Sequence, residues 1–234
     1  MLTRWTLLDL ECVALPNAKD YIPTIQAPAN YTKPESIDAY VTAETAKALD
    51  KAGLDPDTCR IVCAGLIEHD GAEHVLIATD DDQERAILER VWRSVNRTTP
   101  MVGYGLTWYD AGVLVRRSQL LGVKVPAEFY KQGKYRHDWI VELADYLTLN
   151  GMIEQKKGRG LDYHCKRFGI QVEDAYSGKD IAALWREGNV EGIKAHCAAD
   201  IERIRLLAER LDVIAPANHF NVIPVQPLEE AGAF

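Results

Sequence analysis

Two carboxylates stand close together at the end of the first apolar segment. Asp9 lies in the stretch RWTLLDL, residues 4–10, and Glu11 follows it directly. The composition of this stretch is typical of a β-strand. Side chains alternate along a strand, so residues two apart project to the same side. Paired carboxylates repel each other unless water or a cation neutralises them, and Mg²⁺ and Mn²⁺ prefer such oxygen ligands. The pair indicates a candidate metal site, although a solvated strand end is the commoner reason for such a pattern.

Three further residues could join this chemistry. Asp110 follows the short apolar segment MVGYG and opens a segment with helical periodicity. His196 and Asp200 are spaced i, i+4 and share one face of a predicted helix over residues 190–211. Each of these residues also has a purely structural explanation. Asp110 could be an ordinary aspartate at a helix start, and His196 and Asp200 could be a hydrogen-bonded pair on a helix surface. Apolar neighbours along the late helix favour burial of that pair near a cleft.

The elements that must position these residues form an alternating pattern. Strands are predicted at 4–10, 60–68, 73–78 and 101–105, with a tight turn between the second and third. Three hairpin-linked strands followed by a parallel strand predict an α/β fold with a mixed β-sheet flanked by α-helices. Helices are predicted at 36–52 with Ser36 as N-cap, and at 80–96, 109–121, 138–149, 161–168, 180–187 and 190–211.

Domain organisation follows from the prolines. Five of them lie between residues 16 and 58, which is typical of an inserted segment. The prediction is one domain over residues 1–212 that carries this insertion, followed by an extended C-terminal tail over 213–234. A basic loop, NGMIEQKKGRG, occupies residues 150–160.

Composition narrows the function classes. The net charge of −8 argues against a protein that coats nucleic acid by bulk electrostatics, but not against an enzyme that binds phosphodiesters through metal ions. The five cysteines form no CxxC pair, so neither a disulfide framework nor a zinc ribbon is indicated. No apolar run is long enough to span a membrane, and acidic residues interrupt the signal-like start, which predicts a cytoplasmic protein.

The segments LLDLE, VGYGLTWYDAGVLVRRSQLLG and GIKAHCAADIERIRLL together resemble the DEDD superfamily of 3′–5′ exonucleases, which has the ribonuclease-H-like fold. HDWIVEL and GLDYHCKRFGI are similar to segments of exonucleases related to family B DNA polymerases, and NYTKPESIDAY is similar to an insertion in phage-type members. The resemblance covers most of residues 4–212 and implies a metal-dependent 3′–5′ exonuclease that acts on single-stranded or frayed DNA.

The resemblance also implies site roles. It assigns two divalent ions, Mg²⁺ or Mn²⁺, to Asp9, Glu11, Asp110 and Asp200, and makes His196 the candidate general base. His196 lies four residues before Asp200, the spacing of the tyrosine subclass, whereas histidine subclass members place it five before. Gly105 stands where family members often carry asparagine. Candidate nucleic-acid contacts are Tyr104 and Trp108 through base stacking, and Lys156, Lys157 and Arg159 through phosphate binding. Leu10, between the two metal ligands, is a candidate wedge against the terminal base through its backbone and side chain.

Three hypotheses remain open from the sequence. The first is the DNA exonuclease, and the second is the same chemistry on RNA. The third is a ribonuclease-H-like binding or scaffold module without catalysis, which the unusual position of His196 and the glycine at 105 keep open. A dinucleotide-binding Rossmann enzyme is excluded because ECVALP follows strand one in place of a glycine-rich turn. The tail is a candidate binding segment for a replication protein.

Overall fold

A computed structural model of the chain describes residues 1–133 and 138–216. It contains five strands: β1 Thr6–Ala14, β2 Cys59–Glu68, β3 Glu73–Ile77, β4 Met101–Gly103 and β5 Ile140–Glu142. The α-helices are α1 Pro34–Lys51, α2 Asp81–Ser94, α3 Asp110–Leu121, α4 Leu143–Thr148, α5 Leu161–Arg167, α6 Ile181–Arg186 and α7 Val190–Arg210. Three short 3₁₀ turns occupy Ala18–Asp20, Ala52–Leu54 and Phe129–Lys131.

The strands form one mixed sheet in the order β3-β2-β1-β4-β5. β1 pairs antiparallel with β2 and β2 antiparallel with β3, while β4 runs parallel to both β1 and β5. The predicted sheet of three antiparallel strands joined to parallel strands is therefore confirmed. β1 lies in the middle of the sheet, so the residues that it carries are held by a strand on either side.

Side chains of β1 alternate between the two faces of the sheet. Leu8 and Leu10 pack in the core cluster with residues of α2 and α3, while Leu7 packs in the cluster with α7. The pairing of β1 with β2 shifts register between Glu11 and Cys12, a β-bulge next to the acidic pair. Bulges redirect side chains, and this one lies where the strand leaves the candidate site.

Local signals explain the helix boundaries near the site. Asp80 accepts a hydrogen bond from the Gln83 amide at 2.8 Å and caps α2, and Asn189 accepts from the Gly192 amide at 2.9 Å and caps α7. α3 ends at Gly122, whose φ of 72° is left-handed. Between α2 and α3, the buried carboxylate of Glu84 receives two hydrogen bonds from Arg117 at 2.7 and 2.9 Å.

Several predicted boundaries differ from the structure. β1 extends to Ala14 because β2 is long enough to pair with all of it, and β4 ends at Gly103. The single helix predicted over 138–149 is instead β5 followed by α4. Parallel pairing with β4 overrides the helical pattern of that segment.

The inserted segment and the tail also need adjustment. α1 begins at Pro34, and Lys33 occupies the N-cap position predicted for Ser36. No residue of α1 is buried. Val213 and Ile214, predicted to open the tail, are buried, and the Leu2 amide donates to the Val213 carbonyl at 2.7 Å. The remainder of the predicted tail, residues 217–234, lies outside the described residues.

Among the helices of the described ranges, none is long and apolar enough to cross a lipid bilayer.

Candidate metal centre

The fold brings the four predicted carboxylates together. Asp9 and Glu11 project from β1 towards α7, where ligand atoms of Glu11, His196 and Asp200 all lie within 4.8 Å of one another. Asp110, at the first position of α3, is close enough to raise the pKa of both Asp9 and Glu11 by charge repulsion. The cluster therefore combines one strand with the start of one helix and a face of another.

The electrostatics of the cluster favour a bound cation. Burial, followed by repulsion from neighbouring carboxylates, raises the pKa of Asp9 and Glu11 well above their usual range. Burial raises the pKa of Asp110 to about 7, and it also raises that of Asp200. Within residues 1–133 and 138–216, the side-chain oxygens of Asp9 and Glu11 accept no hydrogen bond, and they retain some access to solvent. Buried carboxylates of this kind are normally paired or bound to metal.

His196 lies at the centre of this site. Its side chain is 4% exposed, and its Nε2 atom is 3.6 Å from Glu11 Oε1 and 3.6 Å from Asp200 Oδ2. Its Nδ1 atom is 2.8 Å from Asp174 Oδ2. The ring is thus held between one carboxylate on the loop before α6 and two carboxylates of the cluster. Spacing of four residues to Asp200 is sufficient to bring the imidazole into the site.

Asp174 and Arg203 are two site residues that the sequence did not reveal. Arg203 Nη1 donates to Asp174 Oδ2 at 2.8 Å and also forms an ion pair with Asp200 Oδ1. Burial opposes the charged form of Asp174, but hydrogen bonds from the Tyr176 amide, Arg203 and His196 lower its pKa. A signal existed for Arg203, which lies three residues after Asp200 and so shares its helix face. Asp174 lies in irregular chain and offers none.

Cys197 also adjoins the cluster, within 4.8 Å of Asp9 and Glu11. Its contact with the Cys63 thiol, together with burial, raises its pKa well above the usual range. A thiol must lose its proton to bind metal. Without a bound cation Cys197 is therefore a neutral thiol, and it lies beside Asp9 and Glu11 as a third candidate ligand atom of this group.

The loop that carries Asp110 has its own support. Glu142, at the end of β5, is 1% exposed and accepts hydrogen bonds from the amides of Gly105 at 2.8 Å and Thr107 at 3.1 Å. It also caps α4 through the Ala144 amide at 3.2 Å. Gly105, with a left-handed φ of 89°, allows the turn that presents its amide to this carboxylate. Sequence reasoning missed Glu142 because it placed this residue inside a helix.

Comparison with known proteins gives a family. A family model described as a predicted 3′–5′ exonuclease related to the exonuclease domain of PolB matches residues 54–214. The chain belongs to this family. The match spans β2 to the end of α7 and includes Asp110, His196 and Asp200. No curated protein matches the chain.

A solved structure supports the fold of this PolB-related exonuclease chain. The family B DNA polymerase from the hyperthermophilic archaeon Pyrobaculum calidifontis is similar with a TM-score of 0.58 and 20% sequence identity. The similarity covers 89% of this chain and 24% of the polymerase chain. The mixed sheet with flanking helices is accordingly ribonuclease-H-like, and the match extends over almost all of the present molecule.

The two aromatic residues proposed to contact substrate in this PolB-related chain differ in how exposed they are. Trp108 is 59% exposed, and Tyr104 is half-buried with its hydroxyl accepting from Gln155 at 2.9 Å and donating to the Arg159 carbonyl at 3.1 Å. The rings of Tyr104 and Trp108 lie edge to face with centroids 6.4 Å apart. These contacts join the end of β4 to the basic loop of residues 150–160.

The other predicted contacts divide into two kinds. Lys156 and Lys157 are exposed in the basic loop, and Arg159 is half-buried with its guanidinium 5.4 Å from the centre of the Tyr163 ring. Leu10 is 6% exposed and packs in the core on the sheet face opposite the carboxylates. This placement argues against the predicted contact between the Leu10 side chain and a terminal base.

Proposed function

We propose that this chain is a metal-dependent 3′–5′ exonuclease that hydrolyses phosphodiester bonds at the 3′ end of single-stranded or frayed DNA. The observation that carries the proposal is the convergence of Asp9, Glu11, Asp110 and Asp200 in one cluster, two of whose members have no hydrogen-bond donor among the described residues. Family membership agrees with this chemistry.

Each group has a part in that reaction. The four carboxylates would hold two divalent ions, Mg²⁺ or Mn²⁺, which when bound supply Lewis-acid stabilisation of the attacking and leaving oxygens. Arg203 fixes one oxygen of Asp200, and Glu142 fixes the loop that precedes Asp110. Trp108 offers an exposed ring on which a base can stack, and Lys156 and Lys157 offer charge for phosphates.

The test is direct. The full chain is incubated with one oligonucleotide labelled at either its 3′ or its 5′ end, in DNA and RNA form, with Mn²⁺ or Mg²⁺. We expect stepwise shortening from the 3′ end of the DNA and no reaction in EDTA. Shortening from the 5′ end would defeat the assignment, and faster degradation of the RNA would move it to an exoribonuclease.

Variants show whether the cleavage comes from this protein or from a contaminating nuclease. Asp9→Asn and Asp200→Asn should each lower the rate about a thousandfold or more, because several kcal/mol of transition-state stabilisation are lost. Asp38→Asn, an exposed site on α1, is the matched control and should leave the rate unchanged. Activity that survives both site substitutions would contradict the proposal, and binding without cleavage by the wild type would indicate a binding module.

A further inference from the structure

One nitrogen in the site has no hydrogen bond. His196 is 3% exposed, and within the described residues no donor or acceptor lies within hydrogen-bonding distance of its Nε2 atom. The nearest polar atoms are Glu11 Oε1 and Asp200 Oδ2, each 3.6 Å away. This nitrogen is not one of the fully buried atoms that lack a partner, so it retains access to solvent and a small ligand can reach it between the two carboxylates.

The other ring nitrogen defines the tautomer. Asp174 Oδ2 accepts hydrogen bonds from His196 Nδ1 and from Arg203 Nη1, both at 2.8 Å. A carboxylate in this position accepts from Nδ1–H, so Nε2 is the nitrogen that faces Glu11 and Asp200. When a cation binds, Nε2 releases any proton that it carries to water and presents its lone pair to the ion. A histidine that donates one N–H to a carboxylate and offers its other nitrogen outward is the usual arrangement of a metal-bound histidine.

The distances suit one shared cation. Two ligand atoms that each lie about 2.1 Å from the same ion are separated by about 3.4 Å at the tetrahedral angle of Zn²⁺ and by about 3.0 Å at the right angle of octahedral Mn²⁺. The Nε2 atom is 3.6 Å from an oxygen of Glu11 and 3.6 Å from one of Asp200. Arg203 pairs with the other oxygen of Asp200, which leaves Oδ2 to face the imidazole.

We propose that His196 Nε2 is a direct ligand of one divalent ion, shared with Glu11 and Asp200, and that it makes this site selective for Mn²⁺, Co²⁺ or Zn²⁺ over Mg²⁺. Imidazole is a borderline ligand that suits transition metals, whereas Mg²⁺ favours oxygen. A lone pair that coordinates an ion is not free to accept a proton from water. The proposal therefore replaces the general-base role that the resemblance implied, and it rests on the proposed function only for the location of the ion.

The first test needs no variant. Mn²⁺ alone is added to the full chain, and pulsed electron paramagnetic resonance measures coupling between the electron spin of Mn²⁺ and nearby nitrogen. We expect coupling to one directly bound imidazole nitrogen. Its absence from a sample with bound Mn²⁺ would overturn the proposal.

Variants then identify the nitrogen. The coupling should vanish in His196→Gln and persist in His164→Gln, a matched change outside the cluster. Persistence in a folded His196→Gln protein would overturn the proposal. If this variant does not fold, Asp174→Asn serves instead, because removal of a carboxylate partner weakens metal binding by about 10- to 100-fold.

The preference for Mn²⁺ over Mg²⁺ distinguishes a metal ligand from a residue that only supports the fold, because loss of a structural residue would weaken the binding of both ions alike. Calorimetric titration with Mn²⁺ and Mg²⁺ should show that His196→Gln loses about tenfold or more in Mn²⁺ affinity and much less in Mg²⁺ affinity. Equal losses for both ions would overturn the proposal. These measurements contain no nucleic acid, so nitrogen coupling without nuclease activity would contradict the proposed function alone, and nuclease activity without coupling would contradict the ligand assignment alone.

Discussion

At the residue scale, the site is a set of carboxylates placed where ionisation is unfavourable. Asp110 is the clearest case, because burial raises its pKa from 3.8 to about 7. Repulsion and burial act in the same direction on Asp9 and Glu11. Without a cation, these three carboxyl groups therefore bind protons more tightly in the folded protein than in the unfolded chain.

This difference predicts how stability depends on pH. Between pH of about 4 and about 7, folded Asp110 keeps its proton while the unfolded residue has lost it. The metal-free protein should therefore be most stable below about pH 4 as far as this group is concerned, and lose that contribution as the pH rises to about 7. Thermal unfolding in EDTA across this range measures the effect.

Two controls test the cause. Asp110→Asn resembles the protonated residue and should reduce the pH dependence, with the contributions of Asp9 and Glu11 remaining. Mn²⁺ should stabilise the wild type most at the upper end of the range because it binds the ionised form. A melting temperature in EDTA that falls equally with pH in Asp110→Asn would show that Asp110 is not responsible.

At the element scale, the site depends on how β4 and β5 meet the loop before α3. Glu142 joins these elements, since its carboxylate receives the Gly105 and Thr107 amides while also capping α4. The short parallel pairing of β4 with β5 puts the carboxylate in place. The position of Asp110 thus rests on a residue 32 positions later in the chain.

Glu142→Gln should weaken this support. The amide group of glutamine turns a donor towards one of the backbone N–H groups, which then loses its acceptor at a cost of about 1–3 kcal/mol in unfolding free energy. Displacement of Asp110 should lower kcat about 10- to 100-fold. Chemical denaturation and nuclease kinetics measure the two effects, with exposed Glu154→Gln as control. Unchanged kcat in a destabilised variant would limit Glu142 to a role in folding.

The element scale also shows where sequence reasoning stops. Hydrophobic periodicity and turn residues predicted β2, β3 and α2 to within a few residues because each has a strong local pattern. β5 has three residues, and its strand state comes from pairing with β4, which no local pattern reports. The predicted convergence of Asp9, Glu11 and Asp200 relied on the resemblance, whereas Asp174 is joined to the site by tertiary contacts alone.

At the scale of the whole molecule, positive and negative charges are unevenly distributed. The net charge is −8, yet the exposed Lys156 and Lys157 lie in the loop that contacts Tyr104, just after β4. A chain with this charge repels nucleic acid on average, so a few local cations should dominate the electrostatic part of substrate binding.

Changing Lys156 and Lys157 together to alanine should raise KM severalfold and leave kcat within about twofold, because phosphate contacts position a strand without taking part in bond cleavage. The salt dependence of kcat/KM on single strands should also become shallower, by about 0.7 in logarithmic slope for each phosphate that a lysine no longer neutralises. Lys33→Ala with Lys51→Ala is the charge-matched control. A change in KM of equal size in both double variants would show a nonspecific effect of net charge.

The close packing of α7 against β2 has a consequence for when the molecule can act. A Cβ atom at Gly65 would lie 3.1 Å from both Cys197 Sγ and Ile201 Cβ, so the helix that carries His196 and Asp200 presses directly on the sheet. His196 follows Glu11 by 185 positions in the chain, so the strand and the helix that form the proposed metal site are synthesised far apart in time. The proposed site therefore forms only after α7 has been synthesised and has packed on the sheet, and a product truncated before α7 would lack it.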